Sequence, residues 1–501
     1  MRNVLAVLLV CALAFISCAR RDDGVPGVGT NHLVVAASAF PTSMDTTRSN
    51  DINSSLINRQ YAETLVIFDH NWNIVPHLAE RWEMPNPQTL IMHLRRGVLF
   101  HNGDEMRASD VAFSIMRGVN APIVRFILEH IASVDVLDEF TVQINLHIPF
   151  VPILGHLTHL GSAIVSERAV REMGDGFANR PVGTGPFMVE SMALGEFVEL
   201  VRFEDYWGTP GGVERITFRT IPEAANRLIE VETGGAHLAI GISPHHFQRL
   251  RNDPNLGYDR AMALRMHHLG FFVESGPLAD IRVRRAINHA IDVDALVASV
   301  FQGLGKRITG PLVGIDGIVP FPPFEVNLDL ARSLMAEAGH AGGLSLNLWV
   351  NVANQLDVDM AVIIRNMLAE IGIDVEIVSV EFATWASRTL AGDADMWLHG
   401  WTNVSADPDY GLMLFHESNI GAGNRFFYRN PEMNRLLDLG KAELDPVERL
   451  RIYEEVQRLA HEEVLAVYIW QAEELVCISP RLQGFRNFPI GTPRLWHVTL
   501  Q

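Results

Sequence analysis

The stretch from residue 344 to residue 401 alternates strand-like and helix-like patterns, and this alternation restricts the fold more than any other feature of the sequence. The segments "LSLNLWV", "DVEIVSVE" and "DADMWLHGW" are short apolar runs of the kind that form buried strands. Two helical stretches lie between them and end near Gly372 and Gly392, where glycine is the usual C-cap residue. A β-α-β-α-β run is typical of a doubly wound sheet, so we predict an α/β fold.

The rest of the chain extends this prediction. Two longer helices are each opened by a proline, Pro431 and Pro446, which a first helical turn tolerates, and the apolar strand "LAVYIWQ" follows them. Strands predicted around residues 89–101, 141–146 and 197–203 indicate lobes of mixed α+β structure. A chain of 501 residues is long enough for two or three domains. Ligands of such folds bind between lobes and beyond strand ends, so loops that follow strands are candidate sites.

The first 18 residues have the features of an export signal. Arg2 is followed by the apolar run "VLAVLLVCALAFI", which is too short to span a membrane as a helix. The run stops at "FISCAR", which resembles the lipobox of bacterial lipoproteins, although Phe15 stands where leucine is usual. This resemblance implies that Cys18 carries a lipid and becomes the first residue of the mature chain. Cleavage without lipidation is the alternative.

Cysteine content and charge support an exported, globular protein that binds no nucleic acid. Cys11 leaves with the signal and Cys18 is used for the lipid, so Cys477 remains alone and no disulfide can form within the chain. Residues 19–31 are charged and glycine-rich without periodicity, which predicts a flexible tether. The net charge is −19, and the acidic residues are spread along the chain, which excludes an electrostatic nucleic-acid surface.

The stretch "HLRRGVLFHNGDEMRASDVAFSIMR" contains two histidines and two aspartates, but its pattern argues against a metal site. Residues 89–97 alternate like a half-buried strand, and Asn102-Gly103 favours a tight turn. A helix is then predicted with Ser109 as its N-cap and Asp110 in its first turn. The acids and histidines therefore fall on different elements, without the spacing that brings metal ligands together.

The same region resembles the signature of the family 5 extracellular solute-binding proteins, the large peptide- and nickel-binding receptors of ABC importers. Six further segments match the family in its order and extend the resemblance over essentially the whole mature chain. The matching segments are residues 78–117, 181–187, 203–208, 280–292, 336–339, 368–377 and 430–437.

This resemblance implies a two-lobed periplasmic-binding-protein fold of the large three-domain type, with mixed sheets flanked by helices. It predicts a monomeric, extracytoplasmic lipoprotein, anchored to the cytoplasmic membrane by its N-terminal lipid, that delivers a small peptide-like solute to an ABC permease. It requires no cofactor and no metal. The expected division is 1–18 signal peptide with lipobox, 19–31 tether, 32–60 with 181–265 and 476–501 main domain of lobe 1, 61–180 extra domain of lobe 1, and 266–475 lobe 2.

Two loops that follow predicted strands are the candidate ligand-binding segments. The first, residues 38–45, offers Phe40 to a cleft. The second, residues 402–415, combines aromatic faces with negative charge, which suits a solute with apolar bulk and an ammonium group. For Trp401 and Asp407, a core position and a turn cap are equally good interpretations. The candidate ligand-binding residues are Phe40, Trp385, Trp401, Asn403, Asp407, Asp409, Tyr410, Asn424 and Arg425.

The resemblance also indicates that this chain lacks the residues with which dipeptide-binding relatives hold their ligand. Dipeptide-binding relatives hold the peptide amine with an aspartate three residues after the matching tryptophan, where this chain has Val404. Their carboxylate-binding arginine corresponds to a position near Asn351. The pattern "GWTNVSADPDYGL" is closer to relatives that bind glutathione or longer and modified peptides.

Catalytic motifs are missing from the sequence. It contains no G-x-S-x-G and no H-E-x-x-H, and "QGLGKR" lacks the residues that complete a P-loop. We therefore predict a binding protein rather than an enzyme. Three alternatives remain: a receptor of the same fold for nickel complexes, haem or sugars, a secreted lipid-anchored hydrolase, and an adhesive or chaperone-like surface lipoprotein.

Overall fold

The computed structural model describes residues 31–209, 211–315, 317–352, 354–488 and 491–501. The predicted signal peptide with Cys18, and the tether up to residue 30, lie outside the described residues. No helix in the described ranges combines the length and the apolar character that crossing a bilayer demands.

The described residues form nineteen strands and fifteen α-helices. The strands are β1 (His32–Ala37), β2 (Val66–Phe68), β3 (Ile74–Pro76), β4 (Ala79–Asn86), β5 (Thr89–Leu94), β6 (Ile131–Asp138), β7 (Thr141–Leu146), β8 (Phe187–Ala193), β9 (Phe197–Arg202), β10 (Arg215–Thr220), β11 (Leu238–Ala239), β12 (Gly257–Phe271), β13 (Lys306–Arg307), β14 (Leu344–Asn351), β15 (Ile373–Val380), β16 (Met396–Thr402), β17 (Ala466–Ile478), β18 (Leu482–Gln483) and β19 (Thr499–Leu500). The helices are α1 (Ile52–Asn58), α2 (Ala108–Val119), α3 (Arg125–Leu128), α4 (Ile153–His156), α5 (Glu167–Met173), α6 (Ala224–Glu232), α7 (Phe247–Asn252), α8 (Ile281–Ala290), α9 (Val293–Phe301), α10 (Leu328–Glu337), α11 (Gln355–Ala369), α12 (Phe382–Leu390), α13 (Pro408–Leu412), α14 (Pro431–Ala442) and α15 (Pro446–Glu462).

One mixed sheet of eleven strands runs through most of the described chain, in the order β15-β14-β16-β12-β17-β11-β1-β10-β9-β8, with β13 also paired to β17. β14 lies parallel to both β15 and β16, as the predicted β-α-β-α-β run requires. Gly372 and Gly392 follow α11 and α12 with φ of 80° and 82°, a conformation that glycine adopts without a steric cost. The α/β fold with mixed sheets flanked by helices is confirmed.

The two longest strands, β12 and β17, connect the two halves of this sheet. They pair antiparallel along nearly their whole length, but the register shifts between Met262 and Met266. Three residues of β12 there face a single residue of β17, which is a β-bulge. The predicted lobe boundaries, after residues 265 and 475, fall within these two strands, and the domain division itself stays a prediction.

A separate antiparallel sheet, in the order β4-β5-β7-β6, forms the core of the predicted extra domain. Its apolar face packs against α2, α3 and α4 through a cluster of fully buried side chains that includes Met92, Val111 and Ile144. The strand, the Asn102-Gly103 turn and the helix predicted in this region are confirmed. The predicted N-cap is wrong: Arg107 caps α2, because its backbone N–H donates to Asp110 at 3.0 Å, and Ser109 lies inside the first turn.

The small sheet's domain touches the loop that follows β16. Tyr410 belongs to the apolar core of that domain and lies with its ring centroid 6.0 Å from that of His156. A Cβ added to Gly155 would lie 2.6 Å from the carbonyl oxygen of Ser405. The backbone N–H of Val151 donates to the carbonyl of Lys441 at 2.8 Å. Elements on the two sides of the β12–β17 connection are therefore in direct contact.

Candidate functional site

A cavity of about 290 Å³, partly open to solvent, lies where β12 and β17 pass between the two halves of the large sheet. One wall comes from α1 and the residues before it, from residues 158–160 and from the C-terminal segment near Thr492. The opposite wall is the end of β16 and the loop after it. Ala263, Arg265 and Glu474 form the floor, at the bulge between the two connecting strands. We call this cavity the cleft.

The opposite wall carries a pair of stacked aromatic rings. Trp401 and Tyr410 lie with ring centroids 5.5 Å apart and planes at 22°. Pro408 occupies the first turn of α13 and Asp407 caps it, which turns Tyr410 back toward Trp401. An aromatic surface of this type suits an apolar group or a flat polar group of a ligand.

Three arginines line the cleft, and we call them the cleft arginines: Arg59, Arg265 and Arg494. Among the described residues, none of the three forms a salt bridge with a carboxylate. Arg59, which is 8% exposed, donates from Nε to Thr492 Oγ1 at 3.2 Å. Arg494 donates from Nη1 to the carbonyl of Phe68 at 3.0 Å, and its guanidinium lies 5.3 Å from the centroid of Phe488.

Arg265 has fewer contacts than the other two. Its Nε is buried and has no hydrogen-bond partner among the described residues. The residue lies within the bulge of β12, opposite Thr402 of β16. Bulges commonly redirect a side chain beside a site, and this one places Arg265 on the cleft floor.

Burial lowers the pKa of two cleft arginines and of a neighbouring histidine, but only the histidine loses its charge at neutral pH. Burial and the nearby charge of Arg494 lower the pKa of Arg59 to about 9, and burial lowers the pKa of Arg494 to about 10. Both arginines are therefore still protonated at neutral pH. Burial, with the charges of Arg59 and His156, lowers the pKa of the neighbouring His159 to about 3, so that ring is neutral. Its Nδ1 accepts from Gly161, and its Nε2–H donates to Asn50 Oδ1 at 3.1 Å.

Two acids also line the cleft, and they differ in what they contact. Asp51 is the N-cap of α1, where it accepts from the backbone of Ser54 at 2.9 Å and from the hydroxyl of Ser54. The carboxylate of Glu474 has no hydrogen-bond or ion-pair partner within the described part of the chain. Three cations and one unpartnered acid therefore face the same space.

Three predicted residues of the β16 loop, two acids and one asparagine, lie behind the cleft wall. Asp407 accepts two hydrogen bonds from Arg449, at 2.7 and 2.8 Å, and also caps α13. Asp409 is buried, and burial raises its pKa to about 6. Asn403 is buried and donates to the backbone carbonyl of Asp407 at 2.8 Å. None of the three lines the cleft.

The remaining predicted residues lie in three other places. Phe40 packs against the core beneath β1. Asn424 is fully buried and bonds the backbone of His416 and Tyr428. Trp385 lies under the guanidinium of Arg425, at 5.1 Å, and Arg425 faces a smaller chamber next to the cleft. Of the predicted set, Trp401 and Tyr410 are the members that line the cleft itself.

Sequence reasoning missed the cleft arginines. They are 206 and 229 residues apart along the chain, at positions 59, 265 and 494, and no local motif marks any of them. Within the described ranges, no group of three or more histidine, cysteine or acidic side chains could hold a metal ion. The cleft offers cationic and aromatic groups instead.

This chain matches known proteins in sequence and in structure over most of its length. Residues 73–422 match the sequence profile of the family described as "Bacterial extracellular solute-binding proteins, family 5 Middle". Heme-binding protein A of Haemophilus influenzae is 26% identical over 464 residues, covering 85% of this chain and 84% of that protein. The glutathione-binding protein of Salmonella choleraesuis is 27% identical over 492 residues, covering 95% and 96%. The periplasmic binding protein DppA of Helicobacter pylori, solved with the peptide STSA, superposes with a TM-score of 0.83 at 28% identity, covering 94% of this chain and 98% of its own.

Proposed function

This chain belongs to family 5 of the bacterial extracellular solute-binding proteins, and we propose that it captures a peptide-like solute carrying at least one carboxylate by closing two lobes around it. Proteins of this family bind their solutes and perform no chemistry on them. The solute proposed here is an oligopeptide, a modified peptide or a glutathione-like compound. The complex is then delivered to an ABC permease.

The observation that carries this proposal is the set of cleft arginines. A buried cation without a counter-ion is unfavourable, and two neighbouring buried cations raise the cost. A carboxylate placed among Arg59, Arg265 and Arg494 offsets that cost, because arginine matches the geometry of a carboxylate with two parallel hydrogen bonds. The net charge of −19 makes this local excess of positive charge stand out from the rest of the protein.

The other cleft groups fit the remainder of a peptide. Glu474, which has no partner among the described residues, is available for an ammonium group. The Trp401–Tyr410 pair offers a flat surface for an apolar side chain or a peptide plane. The anchoring pattern differs from that of dipeptide-binding relatives, because Val404 lines the cleft where those proteins have an aspartate.

Lobe closure provides the mechanism of capture. Two strands, β12 and β17, connect the halves, and the bulge at residues 263–265 interrupts their pairing beside the cleft. A hinge needs only a few residues that absorb a change in backbone angles. A solute stabilises the closed form by as much as it binds that form better than the open form. A dissociation constant near 1 μM corresponds to about 8 kcal/mol, within reach of one buried ion pair, several hydrogen bonds and an aromatic contact.

The proposed cellular setting follows from the N-terminus and the family. A lipid on Cys18 would hold the receptor on the outer side of the cytoplasmic membrane, and the monomer would present its closed form to the permease. Labelling with a radioactive fatty acid tests the lipid, and substitution of Cys18 by alanine is the control.

Solute capture is tested by two linked measurements. Native mass spectrometry of gently purified protein identifies co-purified peptides, and calorimetric titration with those peptides gives their affinity. Small-angle scattering then compares the free and loaded protein. We expect a smaller radius of gyration with solute, and a rigid envelope with no bound peptide would contradict the proposal.

A variant that holds the cleft open tests whether closure contributes to the affinity for the solute. A Cβ at Gly155 would lie 2.6 Å from the carbonyl oxygen of Ser405, so Gly155→Leu forces the small domain and the β16 loop apart. This variant should show a larger radius of gyration and an affinity at least tenfold weaker. Gly176→Leu is the matched control, since no atom lies within 4 Å of a Cβ there.

A further inference from the structure

A second, smaller chamber lies behind the aromatic wall of the cleft. It is small, with free space of about 10 Å³ for the centre of a water-sized group, and Trp401 lines both this chamber and the cleft. Trp397 and Phe426 supply much of its apolar surface. We call it the inner chamber. Its free space holds a water molecule or the terminal three heavy atoms of a carboxylate, but not a whole side chain or a peptide.

Two of the polar atoms at the inner chamber lack hydrogen-bond partners among the described residues. His268 and His399 are directly opposite each other on β12 and β16, with ring centroids 6.4 Å apart. His268 is 2% exposed, and its Nδ1 has no hydrogen-bond partner among the described residues. The indole Nε1 of Trp401 is likewise buried without a partner in the described chain. Buried polar atoms of this kind normally hydrogen-bond to protein, water or ligand.

One permanent charge faces the same space. Arg425 is 9% exposed, donates from Nε to Thr389 Oγ1 at 3.1 Å, and lies 5.1 Å from the centroid of Trp385. No carboxylate of the described residues forms a salt bridge with it. Burial lowers the pKa of Arg425 to about 10, so it is cationic at neutral pH.

The two histidines do not add to that charge. Burial, with the nearby His267 and Arg425, lowers the pKa of His268 to about 3, and burial lowers the pKa of His399 well below its ordinary value. The inner chamber thus combines a single positive charge with neutral imidazole and indole groups that donate hydrogen bonds. That combination fits one negative charge carried on a small planar group.

We propose that the inner chamber is a subsite for a carboxylate on a side chain of the bound solute, and that it selects peptides with an aspartate or glutamate at one position. This inference rests on the proposed function, because the peptide backbone must first occupy the cleft. The side chain would enter past Trp401, whose ring separates the two spaces. Arg425 would pair with the carboxylate, and His268 and Trp401 would donate to its oxygens.

The test compares peptides that differ in one group. Tripeptides of alanine with a single glutamate at the first, second or third position are titrated against the same peptides with glutamine, which is nearly identical in shape but uncharged. For the wild-type protein, we expect the glutamate peptide to bind at least tenfold tighter at one position. In Arg425→Gln the glutamate-to-glutamine ratio should fall below threefold, while the glutamine peptide keeps its affinity. Arg425→Lys should recover part of the preference.

Two further variants provide a control and an alternative to Arg425→Gln. Arg429→Gln, an exposed arginine that pairs with Glu274, is the matched control and should leave the ratio unchanged. If Arg425→Gln fails to fold, His268→Phe keeps the ring packing against Phe426 and should lower the ratio several-fold. Peptides that bind without an acid preference, or with one that survives in Arg425→Gln or His268→Phe, overturn the inner-chamber proposal alone. If no peptide binds the wild-type protein, the proposed function fails as well.

Discussion

The loop that follows β16 separates two regions that differ in whether their buried or half-buried arginines are paired with a carboxylate. Behind the loop, Arg449 donates to both carboxylate oxygens of Asp407 and to the carbonyl of Gly440. On the cleft side, none of Arg59, Arg265 and Arg494 forms a salt bridge with a carboxylate of the described residues, and the nearby charge of Glu63 acts on Arg494 without direct contact. A paired buried arginine holds the fold together, and its loss leaves an uncompensated charge. An unpaired buried arginine lowers the stability of the fold, and a bound anionic ligand can offset that loss.

The largest expected effect is on the paired side. Arg449→Met leaves the half-buried Asp407 without its cation, and removal of one partner of a fully buried pair costs about 3–5 kcal/mol, which is the upper bound here. We expect a clearly lower midpoint of thermal unfolding, measured by circular dichroism. Arg451→Met, an exposed neighbour that pairs with Glu448, should change stability by less than about 1 kcal/mol. Equal shifts in the two variants would remove the distinction between paired and unpaired arginines.

The second effect is on binding rather than on stability. Arg265→Met removes a cleft cation whose Nε has no partner among the described residues, so the unfolding midpoint should stay the same or rise. Loss of a hydrogen-bonded charge to a ligand carboxylate corresponds to about 1.5–3 kcal/mol, or roughly 10- to 150-fold in affinity. Arg260→Met, on the same strand but paired with Glu473, is the control for titration calorimetry. A stability loss in Arg265→Met with unchanged affinity would assign Arg265 to the framework.

The third effect concerns the aromatic wall. Trp401→Ala removes the ring that stacks on Tyr410, and we expect a solute affinity weaker by tenfold or more, about 1.4 kcal/mol. Trp401→Phe keeps an aromatic surface and should lose less. Fluorescence or calorimetric titration measures both variants. Unchanged binding in Trp401→Ala would place the site elsewhere.

The smallest effect is a dependence on pH above neutrality. Because the pKa of Arg59 is lowered to about 9, its charge is lost as the pH rises through that value, and carboxylate binding weakens. At pH 9.5 the loss should be about fourfold relative to pH 7. The same titrations on Arg59→Gln remove the contribution of the solute's own amine, which titrates in both proteins. A wild-type protein whose pH profile matches that of Arg59→Gln would exclude Arg59 from anion binding.

The fold was largely predictable because its signals are local. Apolar periodicity and turn residues marked β14, β15 and β16 with the helices between them, and Pro431 and Pro446 marked the starts of two helices. The N-cap of α2 was missed because the backbone of Arg107, rather than a favourable side chain at Ser109, makes the capping contact with Asp110.

The candidate site was only partly predictable. The loop after β16 was found from its position behind a strand and its aromatic content, and Trp401 and Tyr410 do line the cleft. The acids of the same loop have different neighbours than the sequence suggested, because Arg449, 42 residues after Asp407, reaches the back of the loop. Whether these residues bind solute stays a prediction.

The sequence by itself determined the family, the alternation of strands and helices, and the loops from which a site could be built, since each depends on residues close together in the chain. The tertiary structure alone decided which charges are paired and which face the cleft. Arg59, Arg265 and Arg494 line one cleft because α1, the bulge of β12 and the C-terminal segment converge there. Asp407 does not line the cleft, because it pairs with Arg449 behind the loop. The strength of a charge's interactions depends on distance and burial in space, and a linear order of residues contains neither.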